Sequence, residues 1–128
     1  MEIIGNGVDI IKNSRIEKLI KNPKFVSRIF SKKEIKDSKK IKNKTNFFAK
    51  RFAAKEAFVK SIGIGLRKGI NFNDIYVKNN KLGKPTLSYN NNVKKILNKK
   101  FKSGRFNVHV SLSDEKQYSI AYVIINKL

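Results

Sequence analysis

Residues Phe47 to Gly65 read FFAKRFAAKEAFVKSIGIG, and the fold follows from how this stretch is read. No proline or glycine interrupts it before Gly63, so it predicts a helix of about four to five turns that Gly63 can stop. At 3.6 residues per turn Phe47, Ala54, Phe58 and Ile62 share one face, and Phe48, Phe52 and Val59 widen it. A third strip carries Ala49, Ala53, Glu56 and Lys60. A helix apolar on this many sides belongs in a core, where a carboxylate needs a partner or a cation. Lys60, at i+4 from Glu56, is the nearest candidate partner. A salt bridge on a solvated edge is the plain reading of such a pair. The alanines beside the acid shift the balance towards the other one, because small side chains leave room for something to approach it.

Around this helix, 128 residues suggest one domain spanning residues 1–128, with a modest core. No apolar run approaches membrane-spanning length, and no signal peptide precedes the first apolar segment. With no cysteine, a disulfide framework and a thiolate metal site are both excluded. A soluble cytoplasmic protein is the default. The net charge of +21 must attract polyanions: nucleic acid, phosphorylated cofactors or an acidic protein. The lysines are scattered through every segment, which fits a solvated surface better than one groove.

In chain order, Glu2 to Ile11 (EIIGNGVDII) reads as a strand with Ile4, Val8 and Ile10 on one face. Gly5, Gly7 and Asp9 share the other, where two glycines suggest close backbone approach or a cleared space. The Gly5-Asn6-Gly7 run lacks the Lys-Ser/Thr ending of a phosphate loop. Ser14 to Glu17 has the form of a capping box opening a short helix, with Ile16, Leu19 and Ile20 inward and Arg15, Lys18 and Lys21 projecting. Asn22-Pro23 ends it. Phe25, Val26, Ile29 and Phe30 form a second short patch, and Ser31 to Glu34 a second capping box. The box opens a polar helix, and Lys36 to Lys44, the most basic run, reads as an exposed loop or helix end. After the central helix come a Gly63–Leu66 turn, a strand at Phe72–Lys78, an Asn/Gly-rich turn and a returning strand at Pro85–Tyr89. A helix over Asn91–Lys102, closed at Gly104, follows. Phe106, Val108, Val110 and Leu112 then alternate with His109, Ser111 and Ser113, and a final strand, Gln117 to Asn126, completes an antiparallel hairpin. His109, the only histidine, reads as a packed or hydrogen-bonded sheet residue, since no nucleophile accompanies it. The order is strand, helices, two strands, helix, two strands. That is an α+β arrangement, a small mainly antiparallel sheet with a long central helix and shorter helices packed on it.

An ordered set of segments carries a resemblance. Gly7-Val8-Asp9-Ile10 is followed by Arg15-Ile16. Then come Phe48-Ala49-Lys50-Arg51-Phe52-Ala53-Ala54-Lys55-Glu56-Ala57 with Lys60, Gly63 and Gly65, and then Gly83-Lys84-Pro85. The last is Val108 to Glu115, with Tyr118 and Ala121. The set resembles the holo-[acyl-carrier-protein] synthase family, the small stand-alone bacterial type of the 4'-phosphopantetheinyl transferase superfamily, from Ile3 to Ile125. The resemblance implies that fold and a reaction of fatty acid biosynthesis. In it, a serine of an apo-acyl carrier protein attacks the β-phosphate of coenzyme A, phosphopantetheine is transferred, and adenosine 3',5'-bisphosphate leaves. It implies Mg²⁺ held by Asp9 and Glu56, with Lys60 neutralising a phosphate or assisting proton transfer. It places Arg51, Gly63, Gly65, Lys84, Pro85, Ser111 and Ser113 at coenzyme A, and makes Arg15, Lys18 and Lys21 candidates for docking the acidic carrier protein. It further implies a homotrimer with coenzyme A in clefts between subunits, and neither a membrane nor a specific nucleic acid as partner. The sequence departs from the family at Ile64, commonly threonine, and at Asp114, often histidine. Asp114 cannot supply a histidine's positive charge, so it could instead orient a base or water near the acceptor serine.

The chemistry agrees on its own terms. Mg²⁺ favours carboxylate and phosphate oxygens, and a metal-bound diphosphate is stabilised as charge builds on its leaving oxygens. The competing reading from charge alone, a nucleic-acid binder, predicts a basic stripe with interleaved aromatics. Here the aromatics mostly fall at core-compatible positions, and Asp9 and Glu56 would be unexplained. An inactive structural relative is the other alternative, separated by a transfer assay.

Overall fold

The structure is a computed structural model and describes residues 1–63 and 69–128. Strand β1 (Glu2–Lys12) leads into three short helices, α1 (Asn13–Leu19), α2 (Pro23–Ile29) and α3 (Lys32–Ser38), and then the long α4 (Lys44–Ile62). A 3-10 turn (Phe72–Asp74) precedes β2 (Ile75–Asn79) and β3 (Pro85–Tyr89), followed by α5 (Asn91–Phe101), β4 (Phe106–Asp114) and β5 (Tyr118–Lys127). This is the α+β order that the sequence predicts. The strands divide into two antiparallel sheets rather than one: β1-β5-β4, and a β2-β3 ribbon whose β3 lies against β4.

Helix α4 is the core element. Asn43 caps its start by accepting from Asn46 N at 3.1 Å, and Gly63, in the left-handed region at φ 70°, ends it. Its phenylalanines and alanines are buried against β1 and β5, under α1 to α3. The two glycines of β1 make the closest of these contacts possible. A methyl at Gly7 would overlap the Ala57 carbonyl oxygen, and one at Gly5 would overlap that of Ser61. Close backbone approach is therefore the correct reading of the pair. The opposite face of β1 leaves Val8 51% and Ile10 61% exposed.

Three local expectations are corrected. The Ser14–Glu17 capping box does not form; α1 starts one residue earlier, with no side-chain cap. Asn13 is instead bound to the β4–β5 turn, its Nδ2 donating to Glu115 O at 2.9 Å and its Oδ1 accepting from Ser119 Oγ at 2.7 Å. That tertiary link overrides the local signal. The Ser31/Glu34 box does form. Phe72–Asp74 is a 3-10 turn, not strand, because Asp74 gathers donors from Asn71 N, Asn90 and Asn92. Helix α5 ends at Lys102, which takes φ 64°, and not at Gly104. A Cβ at Gly104 would stand 2.6 Å from Lys127 Cε, so that glycine answers to packing.

One feature had no signal in the sequence. Lys55 is fully buried and donates to Glu34 Oε1 at 2.7 Å, Ile29 O at 2.8 Å and Phe72 O at 3.1 Å. Glu34 also accepts from Ser31 N at 2.9 Å and Val77 N at 3.0 Å. Every ammonium proton is used, and the pair ties α2, α3, α4 and β2 together.

Candidate active site

The inward face of β1 runs Gly5, Gly7, Asp9, Ile11 along α4, so the glycines that allow close packing also deliver Asp9 to the last turns of the helix. There Lys60 Nζ donates to Asp9 Oδ1 at 2.9 Å and to Val8 O at 3.1 Å. Lys60 therefore pairs with Asp9 and not, as helix spacing suggests, with Glu56. The strand offers both a carboxylate and a carbonyl, whereas an i+4 partner offers one contact on a curved surface. The ammonium also sits in the last turn of α4, where the helix dipole favours a cation.

Glu56 is half-buried and accepts no hydrogen bond among the described residues. Desolvation, and then the neighbouring Asp9 carboxylate, push its carboxyl above the usual range; Lys60 and Arg15 pull the other way. Four charged side chains from β1, α1 and α4 thus share one field. Two carboxylates that repel one another, one of them without a donor, are the chemistry that a divalent cation relieves, so the residues fit such an ion. No group of three or more metal-type ligands occurs among the described residues.

The remaining predicted residues fall in separate places. Lys84, Pro85 and Ser111 line one cleft of about 310 Å³ in the seam between β3 and β4, with Thr86 and His109. Ser113 instead lines a cleft of about 450 Å³ with Ile10, Tyr118 and Ile120 on the open face of the three-stranded sheet. Arg51 is 4% exposed, its guanidinium 3.6 Å above the Phe47 ring centroid and bonded, among the described residues, to Phe47 O alone at 3.4 Å. Burial lowers its pKa, and Glu34 and Asp37 partly restore it. Within one chain Arg51 does not join Lys84. Gly63 caps α4, and Gly65 lies outside the described residues, as does Ile64. Arg15, Lys18 and Lys21 are exposed on and just beyond α1.

Asp114 is already engaged: Asn46 Nδ2 donates to it at 2.8 Å, and Lys50 lies 3.4 Å away. It fastens the end of β4 to the start of α4. The sequence reading did not place His109 and Thr86 beside Lys84; only the β3–β4 approach brings them together. Another cleft of about 430 Å³, lined by Asn13, Ser14, Asn43 and Thr45 among others, contains neither Asp9 nor Glu56.

Comparison with known proteins identifies the family. The profile of the 4'-phosphopantetheinyl transferase superfamily matches residues 5–123. A holo-[acyl-carrier-protein] synthase of Pelagibacter ubique is 55% identical over 127 residues, covering 99% of both chains, and one of Ehrlichia chaffeensis is 47% identical, covering 96% of both. Among solved structures, the Bacillus anthracis synthase in complex with CoA (3',5'-ADP) is 37% identical with a TM-score of 0.82, covering 100% of both chains. The Neisseria meningitidis synthase is 36% identical with a TM-score of 0.86, covering 98% of this chain and 99% of that one. The chain belongs to the 4'-phosphopantetheinyl transferase superfamily, in its holo-[acyl-carrier-protein] synthase branch, and is a transferase enzyme.

Proposed function

We propose that the chain transfers 4'-phosphopantetheine from coenzyme A to a serine of an apo-acyl carrier protein, with Mg²⁺, and releases adenosine 3',5'-bisphosphate. The observation that carries this reading is the Asp9–Lys60 ion pair at the β1–α4 contact, with the Glu56 carboxyl in the field of both. The relatives' names support it, as do the complexes of the Bacillus anthracis synthase with CoA (3',5'-ADP) and of the Helicobacter pylori synthase with coenzyme A.

The serine oxygen forms a bond to the β-phosphorus, and the bond from that phosphorus to the bridging oxygen breaks. The bridging oxygen leaves on the α-phosphate, and the serine proton passes to solvent or a nearby base. Asp9 and Glu56 would hold Mg²⁺, which supplies Lewis-acid stabilisation of the diphosphate oxygens. Lys60 contributes positive charge for the leaving phosphate. Arg15 acts on Glu56 electrostatically, so a carrier protein seated on Arg15, Lys18 and Lys21 would bring its serine next to the site. Such an acidic partner is steered by the surplus positive charge.

Val8, Ile10, Ile120 and Tyr122 are exposed and adjacent in register on β1 and β5. This apolar face supports the homotrimer, with the Ser113 cleft beside it and coenzyme A between subunits, where residues separated in one chain can meet. The reaction belongs to fatty acid biosynthesis in the cytoplasm. The test is mass spectrometry of an apo-acyl carrier protein incubated with the chain, coenzyme A and Mg²⁺. A phosphopantetheine mass gain that EDTA abolishes is expected; no gain in Mg²⁺ refutes the reading.

A further inference from the structure

We propose that Asn13 is a positioning residue: its buried amide sets the rotation of α1 about its own axis and so aims Arg15 and Lys18 at the carrier protein. This rests on the function proposed above and adds to it an uncharged residue on the far side of the docking helix. Helix α1 has 7 residues, too few to hold a shape or a direction alone. Of these, Asn13 and Ile16 are buried. Ile16 supplies an apolar contact, which has no preferred direction. Asn13 supplies hydrogen bonds, which do. At about 100° per residue, Arg15 and Lys18 project on the side of the helix opposite those two. A rotation of about 20° would carry a side-chain tip about 6 Å from the axis through about 2 Å.

The amide is saturated with partners from the β4–β5 turn. Asn13 is 3% exposed. Its Nδ2 donates to Glu115 O at 2.9 Å and to Lys116 O at 3.2 Å, and its Oδ1 accepts from the buried Ser119 Oγ at 2.7 Å. Its backbone N–H donates to Gln117 O at 2.8 Å. Both amide protons are thus used. The turn that receives them is itself fixed, since Glu115 Oε1 accepts from Gln117 N at 2.8 Å and from Tyr118 N at 2.7 Å.

The far end of this link is α4. Asn46 Nδ2 donates to the same Glu115 O at 3.1 Å, and to Asp114 at 2.8 Å. Glu115 O therefore accepts from α1 and from α4 at once. One carbonyl registers the helix that bears the docking cations against the helix that bears Glu56 and Lys60. With that register lost, α1 can turn on Ile16, and the cations no longer present one fixed pattern to an acidic partner.

The test is calorimetric binding of an apo-acyl carrier protein to the full chain and to Asn13→Ala, Ser119→Ala and the double variant, at low and at physiological ionic strength. Coenzyme A binding in Mg²⁺ is measured alongside, at a temperature where melting curves show the variants folded. Asn13→Ala should weaken the carrier protein about tenfold and flatten its salt dependence, while coenzyme A stays within about twofold. Ser119→Ala removes one of the bonds and should weaken the carrier protein less; the double variant should match Asn13→Ala. If Asn13→Ala melts too low to assay, Ser119→Ala carries the test by the same comparison. A merely structural role lowers the melting temperature and leaves the carrier affinity and its salt dependence at the wild-type values, and that result overturns the inference. So does equal weakening of carrier protein and coenzyme A, or a wild type that binds no carrier protein. A wild type that binds carrier protein but transfers nothing refutes the function, and the variants' affinities still decide the role of Asn13.

Discussion

Gly7→Ala is the perturbation that best separates the fold from the site. Gly7 pairs with Val123 and stands two residues before Asp9 on the same face. A methyl there would overlap the Ala57 carbonyl oxygen and lie 2.8 Å from Ser61 N. Both obstacles are α4 backbone, so neither can swing aside. Restoring ordinary contact near 3.5 Å needs β1 to withdraw by about 1.4 Å, an overpacking strain costing about 1–3 kcal/mol. In a chain of 128 residues that is a melting temperature lower by about 5–15 °C. The same withdrawal opens the 2.9 Å Asp9–Lys60 contact and separates Asp9 from Glu56. A misplacement of this size costs about 10²-fold in turnover. Thermal melting followed by circular dichroism, and carrier-protein transfer assayed well below the variant's midpoint, measure the two effects separately. If Gly7→Ala melts within 2 °C or so of the wild type and transfers at its rate, close backbone approach is not what delivers Asp9 to the site.

Other expectations follow from the same geometry. Lys60→Met removes a charge that holds Glu56 down, so the acid limb of the pH–rate profile should move to higher pH; Asp9→Asn removes a charge that pushes Glu56 up, and the limb of its residual activity should move lower. Glu56→Gln should abolish transfer yet raise the melting temperature at neutral pH without Mg²⁺. With its folded-state pKa raised, Glu56 favours the fold at acid pH and loses that contribution as pH rises through the folded value, so the gain should shrink on acidification. Lys55→Met leaves Glu34 buried and uncompensated, and urea denaturation should register a loss of about 3–5 kcal/mol, part of it recovered in a Glu34→Gln/Lys55→Met double variant. The apparent affinity for carrier protein should fall steeply between low and physiological ionic strength, and Lys18→Glu/Lys21→Glu should flatten that slope; a salt-independent KM removes α1 from the docking surface.

Elements with a local cause were legible in the sequence. The periodicity of Phe47 to Ile62, the glycine after it and the alternation of β4 are each written within a few residues, and each appears in the fold. The errors arose where a distant group competes with the local one. Ser14 has the right neighbours for a cap, but the β4–β5 turn binds Asn13 and starts α1 early. Lys60 has Glu56 at the right spacing, but β1 brings Asp9 and Val8 O closer. The Glu34–Lys55 pair joins residues 21 apart on different helices, a separation no periodicity encodes. The site divides in the same way. Asp9 and Glu56 stood out singly, as an acid beside glycines and an acid among alanines. The resemblance paired them; that Asp9 lies in the field of Glu56 comes from the packing of β1 on α4, and that His109 joins Lys84 across a seam comes from the approach of β3 to β4.

Lys55 and Lys60 leave α4 about 140° apart around the helix axis, and their surroundings assign them opposite duties. Lys55 has no exposure, three hydrogen-bond acceptors and the Phe30 ring within reach, so moving it would strand a carboxylate and two carbonyls in the core. Lys60 has a side chain 54% exposed and one carboxylate partner, a contact that solvent screening makes worth no more than about 1 kcal/mol. An ammonium held so loosely can exchange Asp9 for a phosphate oxygen at little cost, and Asp9 is then free to act as a ligand. The rotational setting of α4, fixed by the lysine that cannot move, keeps Glu56 and the mobile lysine on the side where β1 arrives. Fixed scaffold and movable charge therefore lie five residues apart on one helix, so substitutions at the first should appear in melting curves and those at the second in pH–rate profiles.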